Sequence, residues 1–469
     1  MSNFAQLLDQ NIHTVPQFTL ECGRTLREVP VAYKTWGKLN ATRDNVMIIC
    51  HAFTGSADVE DWWGPMMGHN KAFDASRFFI FCANVMGSPY GSASPITTNP
   101  DTGRPYGPEF PRTTVRDDVR IHKLVLDALG VESVATVIGG SMGGMAVLEW
   151  PLCTPTGYVK HIIPLATSAR HSAWCISWGE AQRQAIYSDP DYEDGYYYKD
   201  RQPASGLAAA RMTALLTYRS RDSFEARFGR KPQPPSKTPQ ITQCPPTTAD
   251  EDYAAHNEGH RKTKHSRPNS RPQSPFVGAP VAQRPQPIFS AQSYLRYQGA
   301  KFTARFDANC YIHITRKLDT HDLARDRVLS SSPEDTTQAL AEVLRQLPPR
   351  ALVFGIETDG LFTIGEQREL AGGIPGAELI LIESQDGHDG FLLEFEQINA
   401  HIVKALAREF PELYTGKNEL GRVLEEAEEG NFEMKKTSMF GEAEADDEVF
   451  DGPMATGLYG EPPADVARW

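Results

Sequence analysis

Short runs of β-branched and aromatic residues recur along the chain, each bounded by polar or turn-forming positions. They cover residues 45–50, 79–84, 134–138, 161–165, 352–356 and 379–382. Such runs are too short for helices and read as buried strands. Helical periodicity fills the stretches between them. Strands alternating with helices predict an α/β fold with a mostly parallel sheet covered on both faces. Ligands in such sheets bind beyond the carboxyl ends of the strands.

The strand–helix rhythm stops between about residues 169 and 331. Residues 185–186, 207–228 and 320–328 read as helical instead, so this segment is expected to form a helical lid inserted into the sheet domain. The predicted organisation is a core of residues 1–168 and 332–415, a lid of 169–331, and a peripheral helix with a flexible acidic tail over 416–469. Within the lid, residues 229–286 carry Pro232, Pro234, Pro235, Pro239 and further prolines among Gln, Ser, Thr, Lys and Arg. Few apolar side chains there offset the entropy of ordering, which predicts a disordered loop. Its cluster Arg261-Lys262-Thr263-Lys264-His265 reads as a solvated charge run.

Charge refines this picture. The formal net charge of −13 argues against a nucleic-acid or anionic-membrane partner. From residue 420 to 469 there are 13 acidic and 4 basic side chains, a net of −9, so the excess belongs to the tail and not to a site. No apolar run approaches the ~20 residues needed to span a bilayer, and the N-terminus lacks the order of a secretory signal. Seven cysteines without a CxxC pair suit reduced thiols in the cytoplasm, with no metal site.

Gly139-Gly140-Ser141-Met142-Gly143 fits the G-x-S-x-G nucleophile elbow. A strand precedes it and a helix follows, which is the context that the strained turn requires. A serine hydroxyl needs a base, and the base needs an orienting acid. In the α/β-hydrolase arrangement they follow in the order Ser, acid, His. Asp359 follows the strand 352–356, and His388 follows the strand 379–382. Alone, Asp359 would be a turn residue and His388 a loop-packing residue; their order after the elbow makes Ser141, Asp359 and His388 a triad. The oxyanion hole is expected from the N–H groups of Met142 and Phe53, the latter in the loop His51-Ala52-Phe53-Thr54-Gly55-Ser56. His51 reads as a hydrogen-bonded structural residue in preference to a second base.

Several segments extend the pattern: Asp61-Trp62-Trp63, Gly87-Ser88-Pro89-Tyr90-Gly91-Ser92-Ala93-Ser94-Pro95, Tyr218-Arg219-Ser220, Arg305-Phe306-Asp307-Ala308-Asn309, Leu318-Asp319-Thr320-His321-Asp322 and Gly387-His388-Asp389-Gly390-Phe391-Leu392. With the elbow and the His51 loop, they give the chain a form that resembles the homoserine O-acetyltransferases of the α/β-hydrolase superfamily, the fungal ones above all. Phe53 departs from the usual leucine, which touches pocket shape and leaves the backbone donor in place.

The resemblance implies an α/β-hydrolase fold and acetyl transfer through Ser141 from acetyl-CoA, a co-substrate, to the hydroxyl of L-homoserine. His388 would be base and acid, oriented by Asp359. Arg211 would pair with the homoserine carboxylate, Tyr218 would position it, and Asp389 would hold the ammonium. The resemblance also implies a homodimer, no resident cofactor, and a place in methionine biosynthesis. Arg211 and Tyr218 lie seven positions apart on a predicted helix and so share a face. The triad alone leaves rivals open: an ester hydrolase, serine as acceptor, succinyl-CoA as donor, or a non-catalytic binding protein.

Overall fold

The computed structural model describes residues 3–197, 201–232, 249–257, 259–260, 288–328 and 333–415. Eight strands form one sheet: β1 (Asn11–Thr19), β2 (Thr25–Trp36), β3 (Val46–Cys50), β4 (Phe79–Ala83), β5 (Val134–Gly140), β6 (Val159–Leu165), β7 (Leu352–Ile356) and β8 (Glu378–Ile382). Their order is β1-β2-β4-β3-β5-β6-β7-β8. From β4 to β8 every pairing is parallel, whereas β1–β2 and β2–β4 are antiparallel. The six predicted strands are all present. The β1–β2 hairpin escapes the apolar-run pattern because it lies at the sheet edge and mixes exposed with buried residues along both strands.

The pleat divides the core between the two faces. Val46 and Ile48 of β3 join one buried cluster, with Val119 of helix Val115–Ala128 and Met145 behind the elbow. Met47 and Ile49 point the other way, to Trp63, Ile398, Ile402 and Leu406. Side chains two apart share a face, so a continuous apolar run suits a strand covered on both sides. Helix Val115–Ala128 begins at a reciprocal capping box between Thr114 and Asp117.

Helices Ala173–Tyr187, Ala204–Tyr218 and Ala308–Asp319, within the segment expected to form a lid, supply a third cluster, in which Ile186, Leu207 and Tyr311 join Phe53 and Met142. The helix predicted over 320–328 does not form; the helix lies just ahead, at Ala308–Asp319. Backbone groups of 320–328 bond elsewhere: Leu323 N–H donates to the Ala169 carbonyl, and the Asp322 carbonyl accepts from Arg116. These bonds occupy groups that a continuing helix would have used.

The chain divides into two units, the smaller one including residues 224–297. In that unit the rings of Phe224, Phe228 and Tyr294 pack together, and Pro232 pairs with Phe289. The two ends of the proline-rich segment therefore meet, which is how a long insertion is accommodated at a loop. Most of 229–286, and the helix and tail expected over 416–469, lie outside the described residues. Among the described residues no helix is long and apolar enough to cross a membrane.

Three histidines, His122 buried and His171 and His313 half-buried, are held neutral. Burial pushes His122, His171 and His313 each down to about 3. Unfolding in mild acid therefore takes up protons that the folded chain refuses, and stability is lost as pH falls from the ordinary histidine value of 6.5 toward 3. Urea midpoints measured from pH 7 to pH 5 should fall steadily, and a flat profile would contradict this account.

Candidate active site

Ser141 stands between β5 and helix Met142–Glu149 with φ of 57° and ψ of −125°. A non-glycine residue in this region carries strain of about 1–3 kcal/mol. The surroundings hold it there. Its N–H donates to the Leu165 carbonyl at 3.0 Å, and its carbonyl accepts the Thr167 hydroxyl at 2.7 Å. A β-carbon at Gly143 would stand 2.1 Å from the Cys50 carbonyl oxygen, and one at Gly144 2.5 Å from Thr167. The motif glycines thus admit close backbone approach of the elbow helix to the end of β3.

That approach brings the two predicted oxyanion donors into one region. Met142 and Phe53 are both buried and belong to the same cluster. Met142 also lines a small cavity with Cys50, His51, Asp118 and His122. His51 bonds with both ring nitrogens: Nδ1 lies 2.7 Å from the Ala52 carbonyl, and Nε2 accepts the Val85 N–H at 3.1 Å. Such a ring holds the loop and has the structural role read from the sequence. Burial pushes the Cys50 thiol up to about 12, which removes it as a nucleophile.

Asp359 and His388 meet as predicted. Asp359 is 4% exposed and His388 3%, and His388 Nδ1 lies 2.7 Å from Asp359 Oδ2. Asp359 Oδ1 accepts N–H groups from Leu361 and Phe362 at 2.8 and 2.9 Å, fixing the carboxylate. With Nδ1 carrying the hydrogen, Nε2 carries the lone pair that can receive a proton. Phe391 connects this pair to the elbow: its ring is 5.2 Å from that of His388, and it covers Gly140 so closely that a β-carbon there would stand at 2.4 Å. Beside the pair, Glu366 is pushed up to about 7, by burial first and also by the Asp359 charge.

The expected amino-acid clamp is partly assembled. Arg211 is fully buried, with its guanidinium 5.6 Å from the Tyr218 ring centre and 5.0 Å from that of Phe302. Tyr218 in turn lies 6.1 Å from the His388 ring. Asp389 is buried next to His388, but its Oδ2 accepts Arg219 Nε at 2.8 Å. A carboxylate expected to meet an ammonium thus already has a cation on one oxygen. Sequence reasoning missed Arg219 and Arg305 as individual residues, although both stand in quoted motifs. Arg305 is 3% exposed and donates to the Thr54 carbonyl at 3.1 Å and the Tyr90 hydroxyl at 2.9 Å. It braces the loop that carries Phe53. Helical periodicity cannot mark such residues, because neither faces its site from within a helix. Among the described residues no group of three or more His, Cys, Asp or Glu is placed to hold a metal ion.

The packing at Gly143 yields a direct expectation. Gly143→Ala should cut labelling of Ser141 by a fluorophosphonate on the order of 10²-fold, the cost of shifting reacting groups by about 1 Å. Gly372→Ala, where an added β-carbon meets nothing within 4 Å, should leave labelling unchanged. Equal labelling of both variants would refute the packing argument.

The family model for the α/β hydrolase fold matches residues 45–395. Homoserine O-acetyltransferase from Cryptococcus neoformans var. grubii is 57% identical, with 94% of this chain and 96% of that protein aligned. The Saccharomyces cerevisiae homoserine O-acetyltransferase is 52% identical over 93% of each. Among solved structures, homoserine O-acetyltransferase from Bacillus anthracis superposes with a TM-score of 0.67 at 21% identity, covering 85% of this chain and 97% of its own. Esterase E22 superposes equally well, with a TM-score of 0.67 at 22% identity over 85% and 99% of the two chains, so this likeness speaks for the fold alone. On its sequence relatives, the chain belongs to the homoserine O-acetyltransferases of the α/β-hydrolase fold.

Proposed function

We propose that this protein transfers an acetyl group from acetyl-CoA to the side-chain hydroxyl of L-homoserine, giving O-acetyl-L-homoserine and CoA. The observation that carries the chemistry is the buried Asp359–His388 pair, 2.7 Å apart, in a site with a strained serine. Acetyl-CoA enters as a co-substrate, and the reading needs no resident cofactor. Its place is in methionine biosynthesis.

In the first half-reaction Ser141 Oγ attacks the thioester carbonyl while His388 Nε2 takes the hydroxyl proton. Asp359 keeps the tautomer and favours the imidazolium. The carbonyl oxygen becomes an oxyanion facing the N–H groups of Phe53 and Met142. Collapse breaks the C–S bond, and the CoA sulfur leaves with the proton from His388. In the second half-reaction the homoserine hydroxyl gives its proton to His388 and attacks the acetyl-serine. Collapse then returns the proton to Ser141 Oγ.

The acceptor is held by charge. Arg211 presents a planar fork that suits a carboxylate at two points, and its burial strengthens that attraction. Tyr218 lies between Arg211 and His388 and sets their spacing. Asp389 takes the ammonium beside Arg219. Ester hydrolysis uses the same serine, histidine and acid, so the lid and clamp must favour the amino-acid alcohol over water. The protein acts as a cytoplasmic homodimer in this reading, which sedimentation of the purified protein and imaging of a tagged copy would check.

Acetyl-CoA alone should leave one acetyl group on Ser141, visible by intact mass, with one equivalent of CoA released. Ser141→Ala should abolish both; retained homoserine acetylation would refute the covalent route. Arg211→Ala should raise the KM for homoserine by about 10²-fold, the loss of a charge-assisted pair worth roughly 3 kcal/mol, while sparing acetylation of Ser141. An unchanged homoserine dependence would remove Arg211 from the clamp. A panel of homoserine, serine and water against acetyl-CoA and succinyl-CoA tests the substrates, with homoserine and acetyl-CoA expected to be preferred.

A further inference from the structure

The helix Ala204–Tyr218 ends at Arg219, whose backbone leaves the helix at φ −98° and ψ 147°. That break turns the Arg219 side chain away from the face that carries Arg211 and Tyr218, toward the loop around His388. Arg219 Nη1 donates to Asp386 Oδ1 at 2.6 Å, and Nε donates to Asp389 Oδ2 at 2.8 Å. One guanidinium thus spans the two carboxylates that bracket His388, and its side chain is only 7% exposed.

The neighbouring residues grip the same loop. Ser220 Oγ donates to the Gln385 carbonyl, and Ser223 Oγ donates to Asp386 Oδ1. Gly387 has φ of +67°, and a β-carbon there would stand 2.6 Å from the Ser220 nitrogen and 3.1 Å from the Tyr218 carbonyl oxygen. From the other side, Gly387 N–H donates to Thr358 Oγ1, one residue before Asp359. The histidine loop is therefore held between the acid loop and the end of a lid helix.

We infer that Arg219 is a positioning residue: by bridging Asp386 and Asp389 it fixes His388 for both half-reactions and aims Asp389 at the acceptor. This rests on the reading of His388 as general base given above. Arg211 would act on the acceptor alone, whereas Arg219 acts also before any acceptor binds. Its charge has a second effect. Asp359 bonds His388, Glu366 of helix Ile364–Gly373 interacts with its charge, Tyr218 packs near its ring with Arg211 over that tyrosine, and Asp386 and Asp389 stand in its own loop. Arg219 places a cation on both loop carboxylates. Without it their charge would favour the imidazolium, so proton acceptance by His388 would move to higher pH.

The test is single-turnover release of CoA from acetyl-CoA by the full-length protein across pH, with no acceptor present. Arg219→Gln should slow acetylation by about 10²-fold, as a misplacement of about 1 Å does, and raise the pH midpoint of the rate by about one unit. Arg219→Lys keeps the charge without the fork, so it should restore the midpoint and recover the rate only in part. Asp386→Asn should move the midpoint the other way, downward. If Arg219→Gln does not fold, the Lys and Asn variants still decide, the first by a reduced rate at an unmoved midpoint and the second by a lowered midpoint. Acetylation by Arg219→Gln at the unsubstituted rate and midpoint would overturn the inference, as would a midpoint unmoved in Asp386→Asn. Failure of the unsubstituted protein to acetylate Ser141 would instead overturn the functional reading itself.

Discussion

The backbone of Ser141 is held where a side-chain-bearing residue does not rest by choice, and much of the site depends on that constraint. Its φ of 57° is maintained by the Leu165 carbonyl and the Thr167 hydroxyl from the end of β6, and by the end of β3 beneath Gly143. Neither neighbour is local in sequence. The strain of about 1–3 kcal/mol persists because the sheet over-determines the turn. The same crowding puts Met142 in one buried cluster with Phe53, so presentation of the serine and the approach of these two residues are one packing event.

A second constraint acts from above the sheet. Helix Ala204–Tyr218 carries Arg211 and Tyr218, and Arg219 at its end engages the histidine loop. Arg305, ahead of helix Ala308–Asp319, holds Thr54 and with it the loop that carries Phe53. Buried arginines thus brace the two loops that the proposed chemistry uses. Removing one partner of such a buried pair leaves an uncompensated charge, which costs far more than the pair contributes as a surface contact. Function and lid packing are coupled for that reason.

Much of the fold was legible because buried parallel strands read as continuous apolar runs, as β3 to β7 do; β8 carries such a run too, although only Ile382 of it is buried. The β1–β2 hairpin did not, since one of its faces meets solvent and Arg27 and Glu28 interrupt the pattern. The helix expected over 320–328 failed for another reason. Its periodicity was real, but its backbone groups found partners at Ala169 and Arg116, far away in sequence. Local propensity loses when tertiary hydrogen bonds offer the same satisfaction.

The sequence by itself determined the elbow, the order of serine, acid and histidine, and the family to which they belong. Those features are local motifs with a fixed order along the chain, and each carries its chemistry in residue type and spacing. Only the tertiary structure decided which groups His51 bonds, what Asp389 already holds, and which carboxylates Arg219 spans. A hydrogen-bond partner is a fact of three-dimensional proximity. Arg219 and Asp389 are 170 positions apart in the chain and 2.8 Å apart in space, and no pattern along the sequence encodes that meeting.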